Sequence, residues 1–189
     1  KAQALVLLAA GPADAVAARA SAQYAGADNM TDRQAALAVL AGLDRPERDV
    51  HLADFHQRYA DNALVIDKWF SIQAGSLHPD VLRQVEALSL HPDFTLANPN
   101  RARALFMAFA MNAGAFHRAD GAGYRIIADV ILALDPLNPQ TAARFVPPLG
   151  RWRRIEPTRS ALMRAELARI AEAPRLSRDT REQVTKSLG

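Results

Sequence analysis

Apolar residues recur with a helical period along nearly the whole chain. Ala36, Val39, Leu40 and Leu43 follow the spacing i, i+3, i+4, i+7, and Ile127, Val130, Ile131 and Leu134 repeat it, so each set predicts one buried stripe on an amphipathic helix. Further faces are marked by Leu52, Phe55 and Tyr59, by Val65, Trp69 and Ile72, by Val81, Val85 and Leu88, and by Met163, Leu167 and Ile170. No stretch alternates with period two for long enough to make a strand. Punctuation agrees. Thr31 with Gln34 reads as a capping box, Pro46 and Pro79 suit a first helical turn, and Ser177 suits an N-cap. Gly42, Gly75 and Gly150 lie where helices end and a left-handed residue is often needed, and Pro174 halts the penultimate helix. The expected helices are 2–10, 12–25, 31–43, 46–60, 62–75, 79–90, 99–112, 121–135, 139–149, 158–172 and 177–188.

About eleven helices joined by short loops form either a globular bundle or an α-solenoid of stacked antiparallel pairs. Pairing them gives units of roughly 30–40 residues, near the period of HEAT, armadillo and tetratricopeptide arrays. The all-α solenoid, a HEAT/ARM-like superhelix forming one domain over residues 1–189, is the favoured reading. The repeat is one of shape, because no tetratricopeptide consensus of Trp, Leu-Gly and Tyr fits any unit.

Composition narrows the function classes. Half of the 189 residues are hydrophobic, enough for a well-buried core, yet apolar runs such as Ala4 to Ala10 stop short of the roughly 18 residues a membrane span requires. There is no cysteine, hence no disulfide or thiolate chemistry, which suits a reducing compartment, and a cytoplasmic location is expected. The net charge is +3, but 23 Lys and Arg are interspersed with 20 Asp and Glu. The one dense basic run is Arg151-Trp152-Arg153-Arg154, so neither nucleic acid nor membrane is expected as a partner. The chain opens at Lys1 without Met, directly in an apolar helical pattern, and is read as a piece of a longer protein.

Catalytic chemistry is largely missing. Zinc peptidases need two His one helical turn apart with a Glu beside the first; His51, His56, His78, His91 and His117 never form His-Glu-x-x-His. His51 and His56 are five residues apart, about 140° around a helix, and diverge. No catalytic and no metal-ligating residue is therefore expected. Nucleophile-elbow, Walker A and dinucleotide glycine patterns are absent, and Gly121-Ala122-Gly123-Tyr124 reads as a flexible helix start. The pairs Asp28/Asp32 and Asp61/Asp67 read as helix-start carboxylates. Trp69 and Phe70 read as core residues rather than a ligand platform. Arg101 and Arg103 stand in a first helical turn, where a cation opposes the macrodipole; they are either solvated or meet an anion. Arg144, one turn beyond Gln140, shares a helix face with it.

Several phrases are more specific. Asn29-Met30-Thr31-Asp32, Leu64 to Phe70, Asn98-Pro99-Asn100-Arg101, Ala115-Phe116-His117, Asp120 to Tyr124, and Asn138-Pro139-Gln140 with Arg144 occur in the order found in one family. In them the chain resembles the C-terminal helical domain of bacterial aminopeptidase N, the alanyl aminopeptidase of the gluzincin zinc-peptidase class. Thr141-Ala142-Ala143 and Pro147-Pro148 depart from that family's pattern.

The resemblance implies a parent protein in which β-rich and thermolysin-like zinc domains precede this one. That parent would be a zinc metallopeptidase of the membrane alanyl aminopeptidase type, removing N-terminal Ala and basic residues from peptides. Its zinc motif and its Gly-x-Met-Glu-Asn segment would lie upstream, leaving this chain inactive and without a cofactor of its own. Its partners would be the catalytic domain of the same polypeptide and the peptide substrate. Arg101, Arg103, Gln140 and Arg144 would line the substrate cavity, with Gln140 near the first side-chain pocket and Arg103 and Arg144 meeting the downstream peptide and its carboxylate. The alternative is a stand-alone helical-repeat scaffold that binds another protein on its concave face.

Overall fold

The computed structural model describes residues 11–189, and no strand occurs among them. The helices are α1 (Ala13–Ala25), α2 (Met30–Ala41), α3 (Pro46–Arg58), α4 (Ala63–Ala74), α5 (Val81–Ser89), α6 (Pro99–Ala102), a π-helical turn (Arg103–Met107), α7 (Ala108–Met111), α8 (Ala113–Phe116), α9 (Ala122–Leu134), α10 (Pro139–Gly150), α11 (Pro157–Ala171) and α12 (Arg178–Leu188), with a 3-10 turn at Trp152–Arg154. The expected helix 2–10 lies outside the described residues. The other expected helices are present within one or two residues of their expected ends. Helix α8 and the π turn were not expected. The described helices fall into two compact units, divided between Glu86 and Ala87.

In the first unit, α1 packs on α2, α2 and α3 pack on each other and on α4, and the turns at residues 26–29, 42–45 and 59–62 are short, as antiparallel neighbours require. Small residues make the approach close: Ala17, Ala20, Ala36 and Ala41 are buried, and Leu37, Leu40, Phe55 and Phe70 fill the space between. Trp69 is buried, and its Nε1 donates to the Leu52 carbonyl at 2.9 Å, so its polar edge is satisfied inside the core. The Tyr24 hydroxyl donates to Asp54 at 2.7 Å. Burial first, and then this bond, push the phenol above its ordinary range.

In the second unit, α9 to α12 pack around Tyr124, Ile127, Ile131, Phe145, Leu149, Met163, Leu167 and Val184. Each such side chain contributes about 1.5–3 kcal/mol by leaving water. Pro147 and Pro148 lie inside α10, yet the helix persists to Gly150, held by its extensive packing on α12 and α9. Asp135, beyond the end of α9, accepts from the Ser177 amide at 2.7 Å and the Ser177 hydroxyl at 2.5 Å. Burial pushes the Asp135 carboxyl up, but bonds from Ser177 and Thr180 outweigh it and hold the group below its ordinary range.

Four expectations about helix ends are corrected. Asn29, not Thr31, caps α2, because its side chain accepts the Asp32 amide at 2.9 Å. Pro79 precedes α5 rather than opening it. Gly42, Gly75 and Gly150 do not adopt left-handed backbone; among the described residues only Gly121 has positive φ, at 68°. Gly121-Ala122-Gly123 is thus a close-packed helix start rather than a flexible one. A Cβ on Gly123 would stand 2.4 Å from the Phe116 carbonyl oxygen, a contact made between backbones.

Gly123→Ala is therefore expected to destabilise the protein by about 1–3 kcal/mol or more, read as a lowered urea midpoint. Ser177→Ala should cost about 1–2 kcal/mol at pH 7, through lost capping and a less satisfied Asp135. The depressed Asp135 carboxyl stabilises the fold above the unfolded carboxylate range, about pH 4, and this is lost as pH falls through the folded value. Urea titrations between pH 7 and pH 3 should show a smaller acid loss in Ser177→Ala than in the unaltered chain.

Candidate functional site

Two Asn-Pro phrases start the helices that carry the expected site residues. Asn98 accepts the amides of Asn100 at 3.0 Å and Arg101 at 3.3 Å, with Pro99 in the first helical position of α6. Asn138 does the same for α10, accepting the Thr141 amide at 2.9 Å ahead of Pro139. The side-chain oxygen satisfies orphan amides, and the proline pre-sets φ without wasting a donor. Both caps fix where the helix begins and hence which way each succeeding residue faces.

In α10, Thr141, Ala142, Phe145, Val146 and Leu149 are buried, whereas Gln140, Arg144 and Pro147 are exposed. Gln140 and Arg144 therefore share the solvent face, about 6 Å apart along the helix axis. Neither side chain has a hydrogen-bonding or ionic partner among the described residues. Arg144 is a cation left available in a helix that has no acidic residue in its first turn.

Arg101 and Arg103 are separated by the fold. Arg101 is buried, only 6% exposed, and its guanidinium donates to the Asp93 carbonyl, so within this chain it ties the segment before α6 to the helix start. Arg103 is exposed and donates to the Asn100 side chain at 2.5 Å. Arg103 also opens the π turn, in which the Ala108 amide bonds to the Arg103 carbonyl five residues back. One extra residue in a turn rotates the rest of the helix by about 100°. That allows Ala104, Leu105, Phe106 and Phe109 all to be buried while Arg103 remains outside. The structure thus brings Gln140 and Arg144 onto one face and places Arg103 in the separate π turn, linked to α10 through α7, α8 and α9. The one sequence signal for Asn100 is its position three residues before Arg103, a contact spacing on a helix. Nothing in Ala102-Arg103-Ala104-Leu105-Phe106 distinguishes a π turn from an ordinary one.

The histidines make contacts with nearby residues. His51 bonds the Glu47 carbonyl at 2.7 Å and lies edge-on to Tyr24, while His56 packs against Trp69, so the two rings point into different surroundings. His78 accepts the Asp80 amide and His91 the Asp93 amide. His117 bonds the Tyr124 hydroxyl at 2.8 Å, and its carbonyl accepts Arg159 Nε at 2.6 Å. Burial, then the nearby Arg159 charge, lower the His117 basicity. Trp69 and Phe70 are core residues, as expected.

Short helices packed on their neighbours within each unit define the class of helical-repeat proteins. The chain belongs to the ARM-repeat family described as a domain of unknown function, DUF3458_C, whose model matches residues 1–189. It is 45% identical over 173 residues to aminopeptidase N of Caulobacter vibrioides, covering 91% of this chain and 20% of that protein. It is 41% identical over 169 residues to aminopeptidase N of Escherichia coli, covering 89% of this chain and 19% of that protein. The chain superimposes on a crystal structure of Legionella pneumophila aminopeptidase A in complex with aspartic acid with a TM-score of 0.87 and 34% identity, covering 93% of this chain and 21% of that one. It spans about a fifth of the length of the curated relatives it matches.

Asn138→Ala is expected to cost about 1 kcal/mol and to loosen the first turn of α10, while Asn138→Asp preserves both. Thermal melts and amide hydrogen exchange of residues 141–144 measure the two effects.

Proposed function

We propose that this chain is the non-catalytic helical cap of a zinc-dependent aminopeptidase, enclosing the active-site cavity and contacting the peptide. What supports the reading is the likeness to aminopeptidase N along about nine-tenths of the chain, joined to a set of exposed polar groups on helix starts. In this reading Gln140 approaches the side chain of the first substrate residue, and Arg103 and Arg144 engage the downstream peptide and its carboxylate. A guanidinium in a partly enclosed space binds a carboxylate by paired, charge-assisted bonds stronger than a surface ion pair. Asn100 orients Arg103, and buried Arg101 holds the helix start from which Arg103 projects.

The bond-breaking zinc belongs to the parent polypeptide. The His-Glu-x-x-His motif of such a peptidase has no counterpart in this sequence, and His51 and His56 face different neighbours. No helix among the described residues is long and apolar enough to cross a membrane. A cytoplasmic location, with the catalytic domain of the same polypeptide and its peptide as partners, completes the proposal.

Kinetics of the full-length protein test it. Arg103→Ala and Arg144→Ala should each raise KM for an alanine-led tetrapeptide by roughly tenfold, as expected for a lost charge-assisted contact. Hydrolysis of alanyl-p-nitroanilide, which has no downstream carboxylate, should change less than about twofold. Unchanged tetrapeptide kinetics would remove both arginines from the cavity. Hydrolysis of the anilide by the 189-residue chain alone would refute the non-catalytic assignment.

A further inference from the structure

The basic run Arg151-Trp152-Arg153-Arg154 is left without a role by the peptide-contact reading. Its three arginines line a cleft of about 520 Å³ together with Gly150, Gln183, Lys186 and Ser187. Four lining residues are cations and none is a carboxylate. This contrasts with exposed arginines such as Arg58, which meets Asp54, Arg118, which meets Asp120, and Arg169, which meets Asp129 and Glu166.

The four cations are not equivalent. Arg153 donates to the carbonyls of Ser187 at 3.4 Å and Leu188 at 2.9 Å, and stacks on Trp152, with 4.2 Å from guanidinium carbon to ring centre. Trp152 Nε1 donates to the same Ser187 carbonyl at 2.9 Å. Between them they complement the negative end of α12 and tie the 3-10 turn to it. Arg151, Arg154 and Lys186 are exposed and have no ionic or side-chain hydrogen-bonding partner among the described residues. Gly150 lets the two helix ends that form the cleft approach, since a Cβ there would stand 2.8 Å from Ser187 Oγ. Like charges gathered in a concavity repel one another and focus a positive potential, and a bound anion relieves both effects.

From this geometry we infer that the cleft is a binding site for a small polyvalent oxyanion of the pyrophosphate or phosphorylated-metabolite class, held by Arg151, Arg154 and Lys186 with Gln183 as a neutral donor. The volume exceeds what a single orthophosphate fills and lies in the range of small-molecule sites. Guanidinium pairs match the paired oxygens of phosphoryl groups. The site is independent of the zinc chemistry and of the peptide assignment.

Calorimetric titration of the full chain with sodium pyrophosphate at fixed low salt tests the inference. The expected result is saturable binding, at least about tenfold tighter than orthophosphate or sulfate, because more than one cation is engaged. Arg151→Gln/Arg154→Gln should weaken it by between about tenfold and a hundredfold, while Arg175→Gln/Arg178→Gln, an equal charge loss outside the cleft, should leave it within about twofold. Circular dichroism monitors the fold of both variants. Three results would overturn the site: no pyrophosphate heat at millimolar concentration, equal weakening by both variant pairs, or orthophosphate binding as tightly as pyrophosphate. Tighter binding of an oligonucleotide or a polyglutamate peptide, lost in the cleft variant, would replace the small anion by a macromolecule and overturn it as well.

Discussion

The helix starts set by asparagine side chains are the constraint on which the rest of this structure depends. Asn29, Asn62, Asn98, Asn112 and Asn138 each accept a backbone amide at the beginning of a helix. A helix whose first residue is fixed has a fixed phase, and phase decides which positions enter the core. In α10 a start displaced by one residue would turn Phe145 and Leu149 away from their buried positions and bring Arg144 toward the packed side. The cap contributes about 1 kcal/mol and acts together with the larger burial of that apolar face to hold a single register.

Close backbone contact is the second determinant. The Gly123 backbone lies against Phe116 with no room for a methyl group, and the rings of Phe116 and Tyr124 meet edge-on at 5.0 Å around that contact. The Tyr124 hydroxyl then finds His117, whose carbonyl in turn receives Arg159 from α11. Glu156 caps α11 by accepting the Thr158 and Arg159 amides, which sets the position from which Arg159 reaches back. One glycine thus links the packing of α8 and α9 to the placement of α11. In the same way the α10 and α12 ends meet at Gly150 and Ser187 and shape the cleft beside Trp152.

Charge is distributed unevenly over this framework. Arg58, Arg118 and Arg169 pair with nearby carboxylates at the surface, where each pair contributes little to stability. Arg103 and Arg144 are presented to solvent by capped or widened helix starts, and Arg151 and Arg154 are gathered at a helix end. A residue in the first group pairs with a carboxylate; those in the second have no carboxylate partner among the described residues. Buried Arg101, bonded to a carbonyl, shows that residue type alone does not separate these roles.

The sequence by itself determined the helical class, nearly every described helix, the buried faces through Ala36, Leu40, Ile127, Ile131, Met163 and Leu167, and the helix starts at residues 99 and 139, because period and punctuation are local properties encoded within a few residues. It also placed Gln140 and Arg144 on one face, as a four-residue spacing requires. Tertiary structure alone decided the π turn at Arg103, the inward course of Arg101, the tight passage of Gly123 against Phe116, and the cleft formed where Arg151 and Arg154 meet Lys186. Each of these arises where segments distant in sequence compete for the same space or the same hydrogen-bond partner, and local pattern carries no record of that competition.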